Sequence, residues 1–479
     1  MSGVARFFNL ERTVAIVVLG IASWQLLLPP GLGLADNGDF ARIMVRFDLT
    51  HAPREWGDRY FGFLNSEYVF DREEAVKYAR PDSISSESVF VAAALAVNRM
   101  LGKTSFDLLL LGAVHVVVFA GGVYFLLLAT RGFAGSVRTT AIILATLVFM
   151  DISYIAYFNS FYSESASFLF FLILTGCAYR AIASTHHQLI WTLAYFAAAS
   201  AFLLAKYQNL VLLPVFLFFG WLLMKRQLKV KYFHLYLAAA LMVSYIGYWF
   251  YLSAPAEDAV LYNSVFNGVL ADSPTPGEDL AAFGLAPELA RYAGSSAYSQ
   301  DSLRYNSEFM REFQEKVTVG KVFTFYTQRP TRLIAVLDRT AGLAAQTRPA
   351  LGNYPKAAGR PPGTQSKSWA MWSSIRSAVL PGSLIFALMV AAVYLALLAK
   401  RWVGEKQPAA RLSLEWSALI AAMAGIQLAL ISMADGIYDV TKHAFLFNMF
   451  LDYMLVAIAA QGLAKLAGPA GEVQQEGPA

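Results

Sequence analysis

The sequence predicts an all-α polytopic membrane protein with about ten transmembrane helices. Of its 479 residues, 57% are hydrophobic and 14% aromatic, and the mean hydropathy is +0.48. A soluble protein of this size could not bury so much apolar surface, because only about half of its residues are normally apolar. Several apolar runs also approach the roughly 20 residues that a helix needs to cross a bilayer. The lipid bilayer is therefore an expected partner.

The predicted spans follow the apolar runs in order. They lie at about residues 13–29, 106–130, 139–157, 165–184, 189–205, 210–224, 235–253, 376–399, 412–432 and 444–463. Residues 86–101 form a shorter run flanked by charges, which is typical of a helix that lies along the interface or re-enters the membrane. No small-residue cleavage site follows the first run, so a retained first helix is expected instead of a removed signal peptide.

Charged loops orient the chain, because cytoplasmic connections collect lysine and arginine. With both termini in the cytoplasm, the cytoplasmic connections hold Arg6, Arg12, Arg131, Arg138, Arg180, Lys225, Arg226, Lys229, Lys231, Lys400, Arg401, Lys406, Arg411 and Lys465. The opposite short loops are poor in these residues. The net charge of +5 is explained by this asymmetry, and no nucleic-acid partner is expected. The polar stretches described below then fall on the extracytoplasmic face, where any chemistry is expected.

This orientation divides the chain into four parts. An N-terminal transmembrane module (1–253) includes the first extracytoplasmic loop (30–105), in which we predict catalytic residues. A large extracytoplasmic loop (254–375) shows amphipathic helical spacing, and its stretch 348–368, rich in Pro, Gly and basic residues, predicts a flexible segment. The C-terminal helices (376–465) and a disordered tail (466–479) complete the chain. The single cysteine, Cys177, is interpreted as a packing residue.

Acidic and basic side chains directly follow the first span, in "ADNGDFAR". In one interpretation Asp36 is a turn residue, Asp39 caps the next helix and Arg42 anchors it at the interface. In the other, Asp36 or Asp39 is a general base whose pKa is tuned by lipid and by nearby cations. The spacing alone leaves both aspartates open.

Two short outer connections carry further polar groups. "YFNSFYSES" places Asn159, Tyr162 and Glu164 between two apolar helices, and a charge there is costly unless it is paired or hydrated. "AKYQNL" contains Lys206, which either extends its ammonium group to the interface or points into a cavity where it could receive a phosphate.

The last outer connection has the highest density of charge. It holds Asp435, Tyr438, Asp439, Lys442 and His443. Deeper in the last span lie Asn448 and Asp452, four residues apart and therefore on one helix face. An intramembrane carboxylate such as Asp452 requires a partner, in either a packing or a functional role. Acids and cations on one face of a membrane are compatible with a site for a phosphorylated lipid.

Other chemistries lack support in the sequence. There is no GxxxxGK[ST], HExxH or CxxC motif, and the six histidines are too scattered for a metal cluster. No metal ligand is therefore assigned, and no cofactor is established by the sequence. A divalent ion, Mg²⁺ or Mn²⁺, stays open as a cofactor.

These features together resemble the GT-C superfamily of membrane glycosyltransferases, which use polyprenyl-phosphate sugars as donors. The resemblance covers the whole topology, and "GDFARIM" is similar to the superfamily's Asp-Glu-x-Arg-Tyr type of motif, although Phe40 replaces the second acid. More narrowly, "ADNGDF", "FNSFYSE", "AKYQN" and "DGIYDVTKH" are similar to bacterial hexosyltransferase-like proteins of cell-surface glycan assembly.

The resemblance implies inverting transfer of a sugar to a glycan or glycolipid acceptor, at an active site on the extracytoplasmic face of a bacterial inner membrane. The implied catalytic residues are Asp39, with Asp36 as its rival, and Glu164. The implied ligands of the donor phosphate are Arg42, Lys206, Lys442 and His443. Substrate-binding residues would be Asn37, Asn159, Tyr162, Gln208, Asn209, Asp435, Tyr438 and Asp439.

Two other functions stay open. A glycan polymerase or ligase of the O-antigen type shares this topology and favours arginines in the large loop, where Arg348 and Arg360 are available. A lipid-linked-sugar flippase or transporter would place polar residues near mid-bilayer and often has repeated halves. Asp452 favours that alternative, whereas the concentration of polar groups at one face and the lack of a visible repeat disfavour it.

Overall fold

Long apolar helices dominate the protein. The computed structural model describes residues 9–53, 55–77, 85–131, 135–184, 186–226, 257–434 and 436–466, together with positions 237, 241 and 245. Within these ranges five helices are long and apolar enough to cross a membrane: Leu108–Ala129, Glu164–Ala183, Leu384–Gly404, Pro408–Ala434 and Phe445–Leu466. The prediction of a mostly helical, polytopic membrane protein is confirmed.

A bent pair of helices corresponds to the predicted span 139–157. Gly135–Phe149 and Ile152–Ile155, which continues as a 3₁₀ turn Ala156–Phe158, meet at an angle of 59°. The bend is fixed by Asp151, because its carboxylate accepts hydrogen bonds from the backbone N–H of Ser153 (3.0 Å) and of Ser373 (3.0 Å). Counted as one span, this pair would be the sixth.

Three shorter helices match further apolar runs: Leu10–Leu26, Gln188–Leu203 and Leu213–Arg226, the last preceded by a 3₁₀ turn Tyr207–Leu212. The predicted span 235–253 and the predicted disordered tail lie almost entirely outside the described residues. Ten spans therefore stays a prediction. The run 376–399 is not one helix: Met371–Val379 ends before Pro381, and Leu384–Gly404 begins after Gly382, since proline removes a helical hydrogen-bond donor.

The all-α prediction is wrong in the first loop, which contains a small antiparallel sheet. Strands Leu49–His51, Glu67–Phe70 and Phe106–Asp107 lie in that order, with Thr50 opposite Val69 and Glu67 opposite Asp107. Strands of two to four residues leave no readable alternation in the sequence. Around them lie short helices and one longer apolar helix, namely Ala41–Met44, the 3₁₀ turn Val45–Phe47, Trp56–Arg59, Arg72–Lys77 and Glu87–Met100.

The large loop has a hydrophobic core of its own, built around Tyr262, Phe266, Phe313 and Phe325. Its helices confirm the predicted amphipathic segments, because each buries one apolar face. The elements are Glu257–Tyr262, a π-helical turn Asn263–Val269, Pro276–Ala282, Ser307–Lys316, Val319–Thr327 and Pro330–Ala344, with 3₁₀ turns Pro287–Tyr292, Leu303–Tyr305 and Lys356–Ala358.

The segment 348–368, which its composition predicts to be flexible, is held by close contacts with the first loop. Asn353 is buried, donates its side-chain amide to the Gly33 carbonyl (2.8 Å), and accepts the Gly33 N–H through its own carbonyl (3.1 Å). A side chain at Gly352 would lie 2.0 Å from the Gly62 carbonyl oxygen. Glycine therefore permits close backbone contact, which holds this segment against the first loop.

The central helix of the bundle is Glu164–Ala183, which packs against Leu108–Ala129, Gln188–Leu203 and Pro408–Ala434. Because N-terminal and C-terminal helices share this packing, their connections meet at the two ends of the bundle. At one end Glu11, in the first turn of the helix Leu10–Leu26, accepts hydrogen bonds from Arg131 (2.9 and 3.0 Å) and Arg138 (3.0 Å). This contact confirms that these arginine-bearing connections share one end.

Asp452 has the partners that a buried carboxylate requires. It pairs with Arg376 of the helix Met371–Val379, and it accepts hydrogen bonds from Tyr154 Oη (2.5 Å) and Trp372 Nε1 (2.7 Å). Arg376 also donates to Asn448 Oδ1 (2.6 Å). Both charged side chains are almost fully buried. The cluster joins three helices, so Asp452 has a structural explanation that needs no transported substrate.

Candidate functional site

Four polar connections meet at the end of the bundle opposite Glu11. They are the turn after the first helix (36–40), the start of Glu164–Ala183, the segment 206–209 and the connection 436–443. Side chains from these segments contact one another across as many as 403 positions of sequence. The sequence-based prediction that these connections share one side is confirmed by these contacts.

Asp36 builds the turn and is itself buried. Its Oδ1 accepts hydrogen bonds from the backbone N–H of Gly38 (2.7 Å) and Phe40 (3.1 Å), while His51 Nε2 lies 3.1 Å from Oδ2. Gly38 has φ +100°, which L side chains rarely adopt. The turn interpretation of Asp36 is thus confirmed. The capping role predicted for Asp39 is wrong, because no described side chain caps the helix Ala41–Met44.

Asp39 points away from this turn into a cluster of charges. Its Oδ1 lies 3.3 Å from an Arg42 guanidinium nitrogen, and its Oδ2 accepts a hydrogen bond from Lys442 Nζ. Lys442 Nζ also lies 3.2 Å from Asp439 Oδ2. The lysine side chain is 2% exposed, whereas those of Asp39 and Asp439 are 26% and 22% exposed. One buried ammonium group therefore lies between two partly accessible carboxylates.

The charges in this cluster shift one another's pKa. Burial alone would raise the pKa of Asp39, but Arg42 and Lys442 outweigh it and hold this pKa well below its usual range. Burial would lower the pKa of Lys442, but Asp39 and Asp439 raise it instead. The pKa of Asp439 is raised, mainly by burial. Asp39 and Lys442 are therefore ionised at neutral pH.

Asn37 and Tyr162 attach the first turn to the charged cluster. The Asn37 side-chain amide donates to Asp439 Oδ2 (2.8 Å), and its backbone N–H donates to Tyr162 Oη (2.9 Å). Tyr162 Oη also donates a hydrogen bond to the Ala35 carbonyl oxygen (2.9 Å). Lys442 Nζ lies 5.0 Å from the centre of the Tyr162 ring, a cation–π distance. Tyr162 is buried, and its ring packs against the Lys442 ammonium group.

A second ion pair lies beside the first. Lys206 Nζ donates to Glu164 Oε1 at 2.7 Å, and the two side chains are 16% and 4% exposed. The pairs are within electrostatic reach, because Glu164 contributes to the raised pKa of Lys442. Burial, Lys206 and Lys442 together lower the pKa of His443 well below its usual value. His443 is thus uncharged at neutral pH, so a phosphate beside it would meet a neutral imidazole.

Several predicted substrate-binding residues have structural contacts instead. Asn159 is buried and donates to the carbonyls of Leu26 and Leu32, both at 2.7 Å. Asn209 donates to Ser167 Oγ (2.9 Å) and to the Phe202 carbonyl (2.8 Å). These two residues do not face the charged cluster. Gln208 holds the cluster in place, since it donates to Gln427 Oε1 (2.7 Å) and to the His443 carbonyl (2.8 Å).

The remaining predicted residues lie on the connection before the last helix. Asp435 lies outside the described residues. Tyr438 packs against Tyr298 of the large loop with ring centres 5.0 Å apart. Burial and the Asp439 carboxylate raise the pKa of Tyr438 to about 12, so its hydroxyl is protonated at neutral pH.

No prediction from the sequence covered a buried pair, Glu87 and His115, which lies near the start of the helix Glu164–Ala183. Glu87 Oε1 is 2.9 Å from His115 Nε2, and neither side chain is exposed. His115 Nδ1 lies 2.8 Å from the Phe158 carbonyl, and Glu87 Oε2 accepts the Ala166 N–H (3.1 Å) near the start of the helix that carries Glu164. An isolated histidine within an apolar run was the available signal, because buried ionisable groups need partners.

The connection 436–443 is shaped by the large loop. Gly436 has φ +61°, and Asn267 Oδ1 accepts the Ile437 N–H at 2.9 Å. Asp439 is also in the left-handed region, with φ 47°, which is uncommon for a residue other than glycine. A side chain at Gly436 would lie 2.3 Å from the Asn267 carbonyl oxygen. This close backbone contact positions both Asp439 and Lys442.

Gly436→Ala is therefore expected to destabilise the protein by about 1–3 kcal/mol and to displace Lys442. Thermal unfolding of the purified protein in detergent measures the effect. Gly425→Ala is the matched control, because a side chain there meets nothing within 4 Å. Equal melting temperatures for the two variants would contradict the assigned contact.

The residues fit a site centred on an ammonium group better than a metal site. Among the described residues, no group of three or more His, Cys, Asp or Glu side chains is placed to hold a metal ion. Asp39 and Asp439 are the two carboxylates that contact Lys442, which already lies between them.

Fold and site define a polytopic membrane protein with an ionic cluster at one end of its helical bundle. The family model described as YfdI N-terminal transmembrane domain matches residues 5–475, and the chain belongs to this family. No curated protein matches the chain, and neither does any solved structure.

Proposed function

We propose that this protein is an inverting glycosyltransferase of the GT-C type, which moves a sugar from a polyprenyl-phosphate donor to a glycan or glycolipid acceptor. The observation that carries the proposal is the meeting of Asp39 with Lys442, because it places a partly exposed carboxylate beside a buried cation. The Asp39 carboxylate can accept the proton of the acceptor hydroxyl, and the Lys442 ammonium group can bind a phosphate. Together they suit a displacement at a sugar carbon whose leaving group is a phosphate.

Asp39 is the proposed general base. It takes the proton of the acceptor hydroxyl while the acceptor oxygen attacks the anomeric carbon from the face opposite the phosphate. The bond from the anomeric carbon to the phosphate oxygen breaks, and its electron pair leaves with the polyprenyl phosphate. A positioned base of this kind contributes roughly 10²–10⁴-fold, or about 3–5 kcal/mol of the barrier.

The cations of the cluster stabilise the departing phosphate in this proposal. Lys442 is buried and positively charged, and Arg42 is more exposed at 37%. Positive groups already in place at the developing charge lower the barrier without reorganising during the reaction. Glu164 and Lys206 lie alongside, where Glu164 is suited to bind a sugar or acceptor hydroxyl. His443 is assigned no charge-neutralising role, since its pKa is low.

The proposed setting is a bacterial inner membrane with both termini in the cytoplasm and the cluster on the extracytoplasmic face. The distribution of lysine and arginine supports this orientation. Arg348 does not support the polymerase or ligase alternative, because it is engaged with Asn353 Oδ1 at 2.9 Å. Arg360 lies over the Tyr354 ring at 6.0 Å and gives that alternative no further support.

Donor preference tests the proposal. Purified protein in proteoliposomes is incubated with a panel of polyprenyl-phosphate sugars and a matched panel of polyprenyl-diphosphate sugars, and release of the lipid phosphate is followed. We expect release from at least one monophosphate donor. Release from diphosphate donors alone would favour a polymerase or ligase, and movement of intact donor across the bilayer without release would favour a flippase.

A further inference from the structure

The ionic cluster is closed to a phosphate in its present arrangement. Lys442 contacts two carboxylates, Arg42 contacts one of them, and Lys206 contacts Glu164. Each of these cations thus already has a carboxylate partner. A phosphate that binds Lys442 must replace one of those partners, since a buried ammonium group has few directions of approach.

We propose that the donor phosphate replaces Asp39 on Lys442, so that donor binding itself releases the carboxylate that acts as base. This inference rests on the proposed function. This exchange would couple occupancy of the donor site to activation of the base. The acceptor hydroxyl would then meet an active base only when a donor is present.

The contacts of the two carboxylates indicate which one leaves. Asp439 Oδ2 accepts a hydrogen bond from the Asn37 amide at 2.8 Å in addition to its contact with Lys442. That neutral donor stays in place when a phosphate arrives. Asp39 is held through its carboxylate oxygens by Lys442 and Arg42, the two cations that a phosphate would attract. Asp39 is therefore the carboxylate that the incoming anion replaces.

Release of Asp39 would also raise the basicity of its carboxylate. A carboxylate that contacts two cations is a poor proton acceptor, because both cations stabilise its charged form. Once the phosphate neutralises Lys442 and Arg42, that stabilisation falls and the basicity of Asp39 rises. General-base efficiency increases with basicity, so the released carboxylate is the better catalyst.

Affinity for a sugar-free phosphate tests the exchange. Binding of farnesyl phosphate to the full chain in nanodiscs is measured for the wild type and for Asp39→Asn, with farnesol and inorganic phosphate as parallel ligands. Because Asp39 competes with the phosphate, Asp39→Asn is expected to bind farnesyl phosphate roughly tenfold more tightly. Farnesol binding is expected to be unchanged. Equal tightening for inorganic phosphate would support the exchange and make the phosphate group its sole requirement.

Asp58→Asn is the matched control, because it removes one negative charge from a carboxylate that pairs with Lys356 outside the cluster. It is expected to bind as the wild type does. Asp39→Ser serves as a second variant without the carboxylate. Unchanged or weaker binding of farnesyl phosphate by the Asp39 variants would overturn the exchange, as would equal tightening in Asp58→Asn. The measurement involves no sugar, so a failure of sugar transfer and a failure of the exchange are distinguishable.

Discussion

Asp39→Asn is expected to lower sugar transfer by roughly 10²–10⁴-fold, the range that a general base contributes. Asparagine keeps the size of the side chain but cannot accept the acceptor's proton. The fold should be little affected, because Lys442 keeps Asp439 as a partner at 3.2 Å. Initial rates of lipid-phosphate release with the preferred donor, together with the melting temperature, measure both effects.

Asp36→Asn is the control for this prediction. Asp36 is 1% exposed and is engaged with the turn and with His51. Its replacement should therefore lower the melting temperature while the folded protein keeps its transfer activity. Full activity in Asp39→Asn, or complete loss in a well-folded Asp36→Asn, would show that the base is assigned to the wrong aspartate.

Arg376→Ala is expected to have the largest effect on stability, with a loss of about 3–5 kcal/mol. The substitution leaves the Asp452 carboxylate buried without its cation, and it also removes the donor to Asn448. Chemical denaturation in detergent, followed by tryptophan fluorescence, measures the change. Trp372 lies in the same cluster, which makes the signal sensitive to it.

The double variant Arg376→Met with Asp452→Leu provides the comparison. When both charges are replaced by apolar groups of similar size, no uncompensated charge stays buried, and such replacements are often close to neutral. The double variant should therefore be more stable than Arg376→Ala. If it is equally or more destabilised, the cluster depends on its hydrogen bonds and not on charge compensation.

The helical part of the fold was predictable because apolar runs must be buried in lipid or protein. Leu108–Ala129, Glu164–Ala183 and Pro408–Ala434 lie within a few residues of the predicted spans. The grouping of the polar connections was also predictable, since the lysine and arginine distribution places alternate loops on opposite sides. The contact between Asp39 and Lys442 agrees with that grouping.

The partners of individual side chains were not predictable. Asp36 and Asp39 are chemically alike in the sequence, and what separates them is a contact with His51, which reaches Asp36 from the edge of a small sheet. Arg376 was included in a span that in fact begins after Gly382, so its pairing with Asp452 was missed. The composition around Asn353 predicted a flexible segment. That prediction overlooked a second use of glycine, which is to let two backbone segments pack closely.

The proposed site requires the first and last of these polar connections to lie side by side. In a Cys177→Ser background, cysteines are placed at Asn37 and Asp439, whose side chains are hydrogen-bonded at 2.8 Å although 402 positions apart. A protease site is inserted between Gly404 and Pro408, and a short bismaleimide reagent is applied before cleavage. Cysteines at Asn37 and Gly462, at opposite ends of the bundle, form the control pair. Cleaved fragments are expected to stay joined for Asn37 with Asp439 and to separate for the control. Separation of both pairs, despite full labelling of each cysteine, would contradict the proximity of these two connections.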